Sequence, residues 1–170
     1  MASARLVSNP SRRWRRNAWH VLQSELENER ADKTIHLLLR KYSWRKRDAA
    51  LYKRIIDQLK QYGDVLTEHI ADADILDKDQ GSDKFIHDRD MAWLMKSDAL
   101  VAEVTQPSLG VGYEIGRAIE NNKRILCLFR PDSGKYLSAM IGGAIGEHLQ
   151  VKNYKEDDVP GILKEFFDSL

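Results

Sequence analysis

The stretch "ALVAEVTQPSLGVGYEIGRAIE", residues 99–120, decides how this chain is read. Its opening "ALVAEVT" is a continuous apolar run of the type that forms a strand buried in a sheet. Pro107 and Ser108 interrupt it, and Ser108 is placed to cap a helix running to about Asn122. Val111, Ile115, Ala118 and Ile119 then recur at helical spacing. A buried strand that passes through a capped turn into an amphipathic helix is the repeating piece of an α/β fold.

Working outward, the same alternation recurs. Before this unit, "DAALYKRIIDQLKQYG" carries Leu51, Ile55, Leu59 and Tyr62 on one helical face, with Asp48 expected as N-cap and Gly63 as the stop. "DVLTEHI" (64–70) reads as a strand, "DADILDKDQG" as a loop, and "DKFIHDRDMAWLMKSD" as a helix capped by Ser82. After it come a strand "RILCLF" (124–129), a loop and short helix in "GKYLSAMIGGA", a last strand in "LQVKNY", and a closing helix "PGILKEFFDSL" with Pro in its first turn. "TIHLLL" (34–39) reads as a further buried strand. Strands alternating with helices predict a doubly wound parallel sheet covered on both faces, with ligands bound beyond the carboxyl ends of the strands. The N-terminal residues 1–33 show no such pattern and are read as a variable basic extension, leaving one domain over 34–170.

The 170 residues suffice for a single core, and an apolar content of 42% with 31% charged residues is ordinary for a soluble globular protein. A net charge of +1 gives no bias toward nucleic acid or membranes, and no apolar run approaches the length of a membrane span. The single cysteine, Cys127, excludes an internal disulfide framework and reads as a small core residue. The five histidines show no ligand spacing with it, so no metal site is expected. The expected setting is cytoplasmic or nuclear. "RKYSWRKR" and the N-terminal arginines are read as solvated charge rather than as a nucleic-acid or nuclear-import patch.

Two carboxylates stand out. If Ser108 caps the helix, Leu109, Gly110 and Val111 present backbone N–H groups forward, and Gly110 lets an anion come close to them. A capped glycine turn without ligand has the same pattern. Glu114 follows at about 9 Å from Ser108, at roughly 1.5 Å rise per residue. That distance suits a ligand whose phosphate binds the turn while its sugar reaches the carboxylate. A glutamate stabilised by the helix dipole is the plainer alternative. On the preceding helix, Asp90 lies midway between Ile86 and Leu94 and next to Trp93, either partly buried beside a site or at a helix edge. Asp88 points away. Two carboxylates, one nucleophilic and one acidic, are what glycosidic chemistry requires.

"VLTEHI", "IHDRDMAWL", "SDALVAEVTQPSLGVGYEIGRA", "KRILCLFRP" and "SGKYLSAMIGGA" resemble the 2'-deoxynucleoside 5'-phosphate N-hydrolases, relatives of the nucleoside 2-deoxyribosyltransferases. The resemblance runs from about Asp48 to the C-terminus. It implies a flavodoxin-like (Rossmann-like) fold, a homodimer, and cleavage of deoxynucleoside 5'-monophosphates to free base and 2-deoxyribose 5-phosphate. By motif, Glu114 would be the nucleophile and Asp90 the general acid. Ser108 and Gly110 would hold the 5'-phosphate, joined by Ser138 of the partner subunit, with Ile86 and His69 lining the pocket. No cofactor is implied.

The resemblance stops at the N-terminal side. Where the family has a glycine-rich phosphate loop between its first strand and first helix, this chain has "RKYSWRKR", with no glycine. Leu37 falls where the family has a tyrosine, and Ser43 and Arg45 are the residues that could replace lost phosphate contacts. A nucleotide-binding protein impaired in catalysis is therefore the alternative reading.

Overall fold

The computed structural model describes residues 33–38, 46–66 and 82–170. The expected extension, apart from Lys33, lies outside the described residues, as do His69, Tyr42, Ser43, Trp44 and Arg45. Five strands form one parallel sheet: β1 (Thr34–Leu38), β2 (Asp64–Val65), β3 (Ala99–Glu103), β4 (Arg124–Phe129) and β5 (Leu149–Asn153). Their order is β2-β1-β3-β4-β5, all pairs parallel. "TIHLL" thus supplies an interior strand between β2 and β3, in register with β3 through Ile35↔Ala99 and Leu37↔Val101. Its entry is tied to β3 from both sides: Thr34 N–H donates to the Asp98 carboxylate and Asp98 N–H to the Thr34 carbonyl, each at 2.7 Å.

Among the described residues the helices are α1 (Lys46–Leu59), α2 (Asp83–Lys96), α3 (Leu109–Glu120), the short α4 (Ala139–Gly142) and α5 (Val159–Asp168). The alternation along β3 shows how the sheet is wound. Ala99 and Val101 pack with Leu51, Ile55 and Leu59 of α1 and Leu163 and Phe166 of α5. Leu100 and Ala102 pack on the other face with Leu94 of α2 and Val111, Ile115 and Ala118 of α3. Leu126 and Leu128 of β4 repeat the first choice, Ile125 and Cys127 the second. Burial also raises the Cys127 thiol to about 12, which leaves it an inert core group. The carboxyl edge between β1 and β3, where the winding reverses direction, is where such sheets bind ligands.

Two expectations are corrected at the helix and strand boundaries. Asp48 is not the N-cap of α1, because the helix already begins at Lys46; an acid in a first turn is favoured by the same helix dipole that favours a cap. Gly63 does not stop the helix, which ends at Leu59. It lets β2 enter the sheet, since a Cβ there would lie 2.0 Å from the Lys33 carbonyl oxygen. That oxygen accepts the Asp64 N–H at 2.9 Å. Among the described residues no helix is long and apolar enough to cross a membrane.

Candidate functional site

Ser108 is the N-cap of α3, with extended backbone (φ −143°, ψ 127°) and its hydroxyl accepting from Val111 N–H at 3.5 Å. The cap bond is at the long limit for an N–H donor. Gly112 N–H makes the first intrahelical bond, to Ser108 O at 3.0 Å. Helix geometry leaves the N–H groups of Leu109 and Gly110 without intrahelical acceptors. A Cβ built on Gly110 meets nothing within 4 Å, so the space before this turn is open. The turn lies just past β3, at the carboxyl edge next to β1.

Glu114 stands on α3 next to Val111 and Ala118, half-buried. Asp90 is on α2, its side chain 17% exposed, and it is not an unpartnered carboxylate. Arg89 Nε and Nη2 reach its Oδ1 at 3.0 and 2.9 Å. The same guanidinium lies 4.7 Å from the Trp93 ring centroid and 6.0 Å from that of Phe85. Trp93 is half-buried with this cation over its face. As placed, Asp90 accepts hydrogen bonds; donating a proton requires it to part from Arg89.

A cross-link sets α2 against α3. His87 Nε2 and Tyr113 OH share a hydrogen bond of 3.1 Å, their rings 5.8 Å apart, and Asp88 orients the imidazole through Nδ1 at 3.1 Å. Lys84 at 2.5 Å and then His87 hold the Asp88 carboxyl below its ordinary range. His87 and Tyr113 each lie five residues past their caps, Ser82 and Ser108, so the helices are joined at equal depth. Asp90 is one turn further along α2 and Glu114 adjoins Tyr113. The two carboxylates therefore sit on neighbouring helices, within about a turn of one link.

Ile86, half-buried in the first turns of α2, lies on the same side of the sheet. Ser138 is exposed and caps α4 without a side-chain hydrogen bond. Among the described residues no hydrogen bond joins Ser138 to the Ser108 turn. Leu109 (96% exposed), Tyr113 and Gly112 form an outward face of α3, and Met140 (83% exposed) stands on α4, which packs on the same sheet face through Ile141.

One buried cluster was not expected. Glu103, the last residue of β3, is 2% exposed and accepts from Tyr154 OH at 3.2 Å and Tyr52 OH at 3.3 Å. Arg130 Nε lies 3.6 Å away. Burial pushes the Glu103 carboxyl above its ordinary range, partly opposed by hydrogen bonds from Thr105 and the Arg130 charge. The Tyr154 hydroxyl is pushed up too, first by burial and then by Glu103.

Comparison with known proteins identifies the family. A sequence model of the nucleoside 2-deoxyribosyltransferase family matches residues 41–163. The 5-hydroxymethyl-dUMP N-hydrolase of Danio rerio is 59% identical over 128 residues, covering 74% of this chain and 90% of that one. The Homo sapiens protein of the same name is 52% identical over 126 residues, covering 72% of each. Among solved structures, a CMP N-glycosidase of Clostridium botulinum superposes with a TM-score of 0.59 at 19% identity, covering 79% of this chain and 99% of that one, a likeness of fold. A match over most of its length and relatives at more than half identity place the chain in the nucleoside 2-deoxyribosyltransferase family.

Proposed function

We propose that this chain hydrolyses the N-glycosidic bond of 2'-deoxynucleoside 5'-monophosphates. The observation that carries the reading is the Ser108 turn. It opens a helix N-terminus at the β1/β3 carboxyl edge and sets Glu114 one and a half turns behind it, beside the helix that bears Asp90. The 5'-phosphate sits before the N–H groups of Leu109 and Gly110, with the Ser108 hydroxyl as a further donor. Glu114 attacks the anomeric carbon and the C–N bond breaks. The departing base takes a proton from Asp90, once protonated and released from Arg89. Water then cleaves the glutamyl ester, giving its proton to Asp90 and its hydroxyl to the sugar, so that 2-deoxyribose 5-phosphate leaves and both carboxyl groups are regenerated. Ile86 lines the pocket.

The exposed apolar face of Leu109, Tyr113 and Met140 supports a homodimer, in which Ser138 of the partner subunit reaches the phosphate. Sedimentation of the full chain tests it, and a monomer at working concentration refutes it. Release of free base from 5-hydroxymethyl-dUMP and the common deoxynucleoside monophosphates, followed by chromatography, tests the activity. That substrate enters because relatives bear its name.

A second reading has the chain bind the nucleotide without cleaving it. It is favoured by the seven residues 39–45 between β1 and α1, "LRKYSWR", which contain no glycine to bring bare backbone N–H groups to a phosphate. Replacing residues 40–45 with a glycine-rich Ser/Arg loop separates the two. If the unaltered chain already releases base as fast as the replaced one, the second reading fails.

A further inference from the structure

We propose that Glu103 is a positioning residue for the phosphate-facing turn. Its buried carboxylate gathers Tyr52, Tyr154 and Thr105, and through Thr105 it sets where the N-terminus of α3 points. The inference rests on the reading that this turn holds the 5'-phosphate.

The geometry is that of a hub at one edge of the sheet. Tyr52 belongs to α1, the helix that follows β1, and Tyr154 directly follows β5. Thr105 lies two residues past the end of β3, fully buried. Its hydroxyl accepts the Arg130 N–H at 2.9 Å, and its hydroxyl and backbone N–H act on the Glu103 carboxyl, lowering it against the effect of burial. Thr105 is thus held between the exits of β3 and β4. The backbone ladder reaches no further than Val104, whose N–H bonds Leu128 O at 2.9 Å. Beyond it only Gln106 and Pro107 separate Thr105 from Ser108, and proline leaves that connection little torsional freedom. The direction in which Ser108, Leu109 and Gly110 face is therefore set at Thr105.

Stability alone gives a poor reason for the carboxylate. Burying an ionisable group is costly, and apolar side chains of similar volume would join the same elements at lower cost. Glu103 lies on the α1/α5 face, with Tyr52 and Tyr154 of that core, whereas Glu114 and Asp90 lie on the other. The hub therefore couples the helix after β1 to the turn after β3, the two connections that flank the switch point. Its donors satisfy a carboxylate, which can accept from several directions at once.

The test uses the full chain with Glu103→Gln, Thr105→Val and Tyr52→Phe, and Leu163→Ala as a control for simple loss of stability. Two readouts are taken: amide hydrogen exchange, and binding of 2-deoxyribose 5-phosphate by calorimetry. The expected result is faster exchange at Leu109–Val111 with β4 amides unchanged, and affinity weakened about 10-fold or more in Glu103→Gln and Thr105→Val. Leu163→Ala should speed exchange in β4 as well. Exchange at 109–111 that matches wild type in both Glu103→Gln and Thr105→Val overturns the proposal, as does a rise no more local than the control's. If wild type itself binds no 2-deoxyribose 5-phosphate, the phosphate reading fails, and the exchange data still decide the positioning role.

Discussion

Removing one hydroxyl separates a helix cap from a phosphate ligand. Ser108 and Ser82 both cap helices, and both can be changed to alanine. Ser82 accepts the Phe85 N–H at 3.2 Å, whereas Ser108 accepts the Val111 N–H at 3.5 Å. An N-cap serine contributes about 1 kcal/mol, with a range of roughly 0.5–2. A bond at the geometric limit belongs at the lower end, so Ser108→Ala should cost about 0.5 kcal/mol of stability and Ser82→Ala about 1. If Ser108 also donates to a phosphate, the loss of a hydrogen bond to a charged group adds about 1.5–3 kcal/mol to the transition-state barrier. That corresponds to a fall of about 10- to 150-fold in kcat/KM for a deoxynucleoside monophosphate. The unphosphorylated deoxynucleoside should lose nothing further. Urea denaturation of both variants, together with base-release kinetics on phosphorylated and unphosphorylated substrates, measures each term. Should Ser108→Ala lose as much stability as Ser82→Ala and treat the two substrates alike, the hydroxyl is a cap and the phosphate lies elsewhere.

Glu114→Gln and Asp90→Asn should each reduce base release by at least about 100-fold while the unfolding midpoint stays within that of wild type, because neither side chain belongs to the core; wild-type turnover in either variant removes its assigned role. Gly63→Ala drives a Cβ into the Lys33 carbonyl and disturbs the Asp64–Lys33 and Leu66–Ile35 backbone bonds. It should cost about 2–4 kcal/mol in urea denaturation, and a loss below about 0.5 would show that β2 relaxes freely. Glu103 gives a pH test with a definite sign. Its carboxyl is raised in the folded chain above the ordinary 4.5, so its contribution to stability is full below that value and is lost as pH rises through the folded value. Glu103→Gln does not titrate. The stability of wild type minus that of Glu103→Gln should therefore shrink as pH rises above the ordinary 4.5, and a difference that grows would reverse the assignment.

The residues legible in the sequence are those whose work is local. Ser108 and Ser82 could be named as caps because a cap is recognised by the chain a few residues on, and the runs "ALVAE" and "RILCLF" could be named as strands because burial on two faces leaves an apolar run. Asp48 misled for the same reason: an acid serves the start of a helix equally well as a cap or inside the first turn. Gly63 was visible as punctuation, but its reason, the approach of Lys33, belongs to the pairing of two strands 30 residues apart. Arg89 is adjacent to Asp90, yet their pairing follows from how the guanidinium settles on Trp93, which no spacing encodes.

Glu103 is the plainest case. Inside an apolar run it reads as one residue of a strand, while its two tyrosine donors stand 51 residues away on either side. Only the winding of the sheet, which brings α1 and the exit of β5 to the same edge of β3, turns three scattered residues into one cluster. The His87–Tyr113 link is of the same kind, joining two helices that the sequence separates by a strand. In both cases the long-range contact fixes the placement of residues that the sequence had already marked: Ser108 and Gly110 through Thr105, Asp90 and Glu114 through His87 and Tyr113. The chemistry of this site is written in short motifs, and its geometry in contacts between elements. Substitutions at the second set should accordingly alter how well the first set is placed while every motif stays intact.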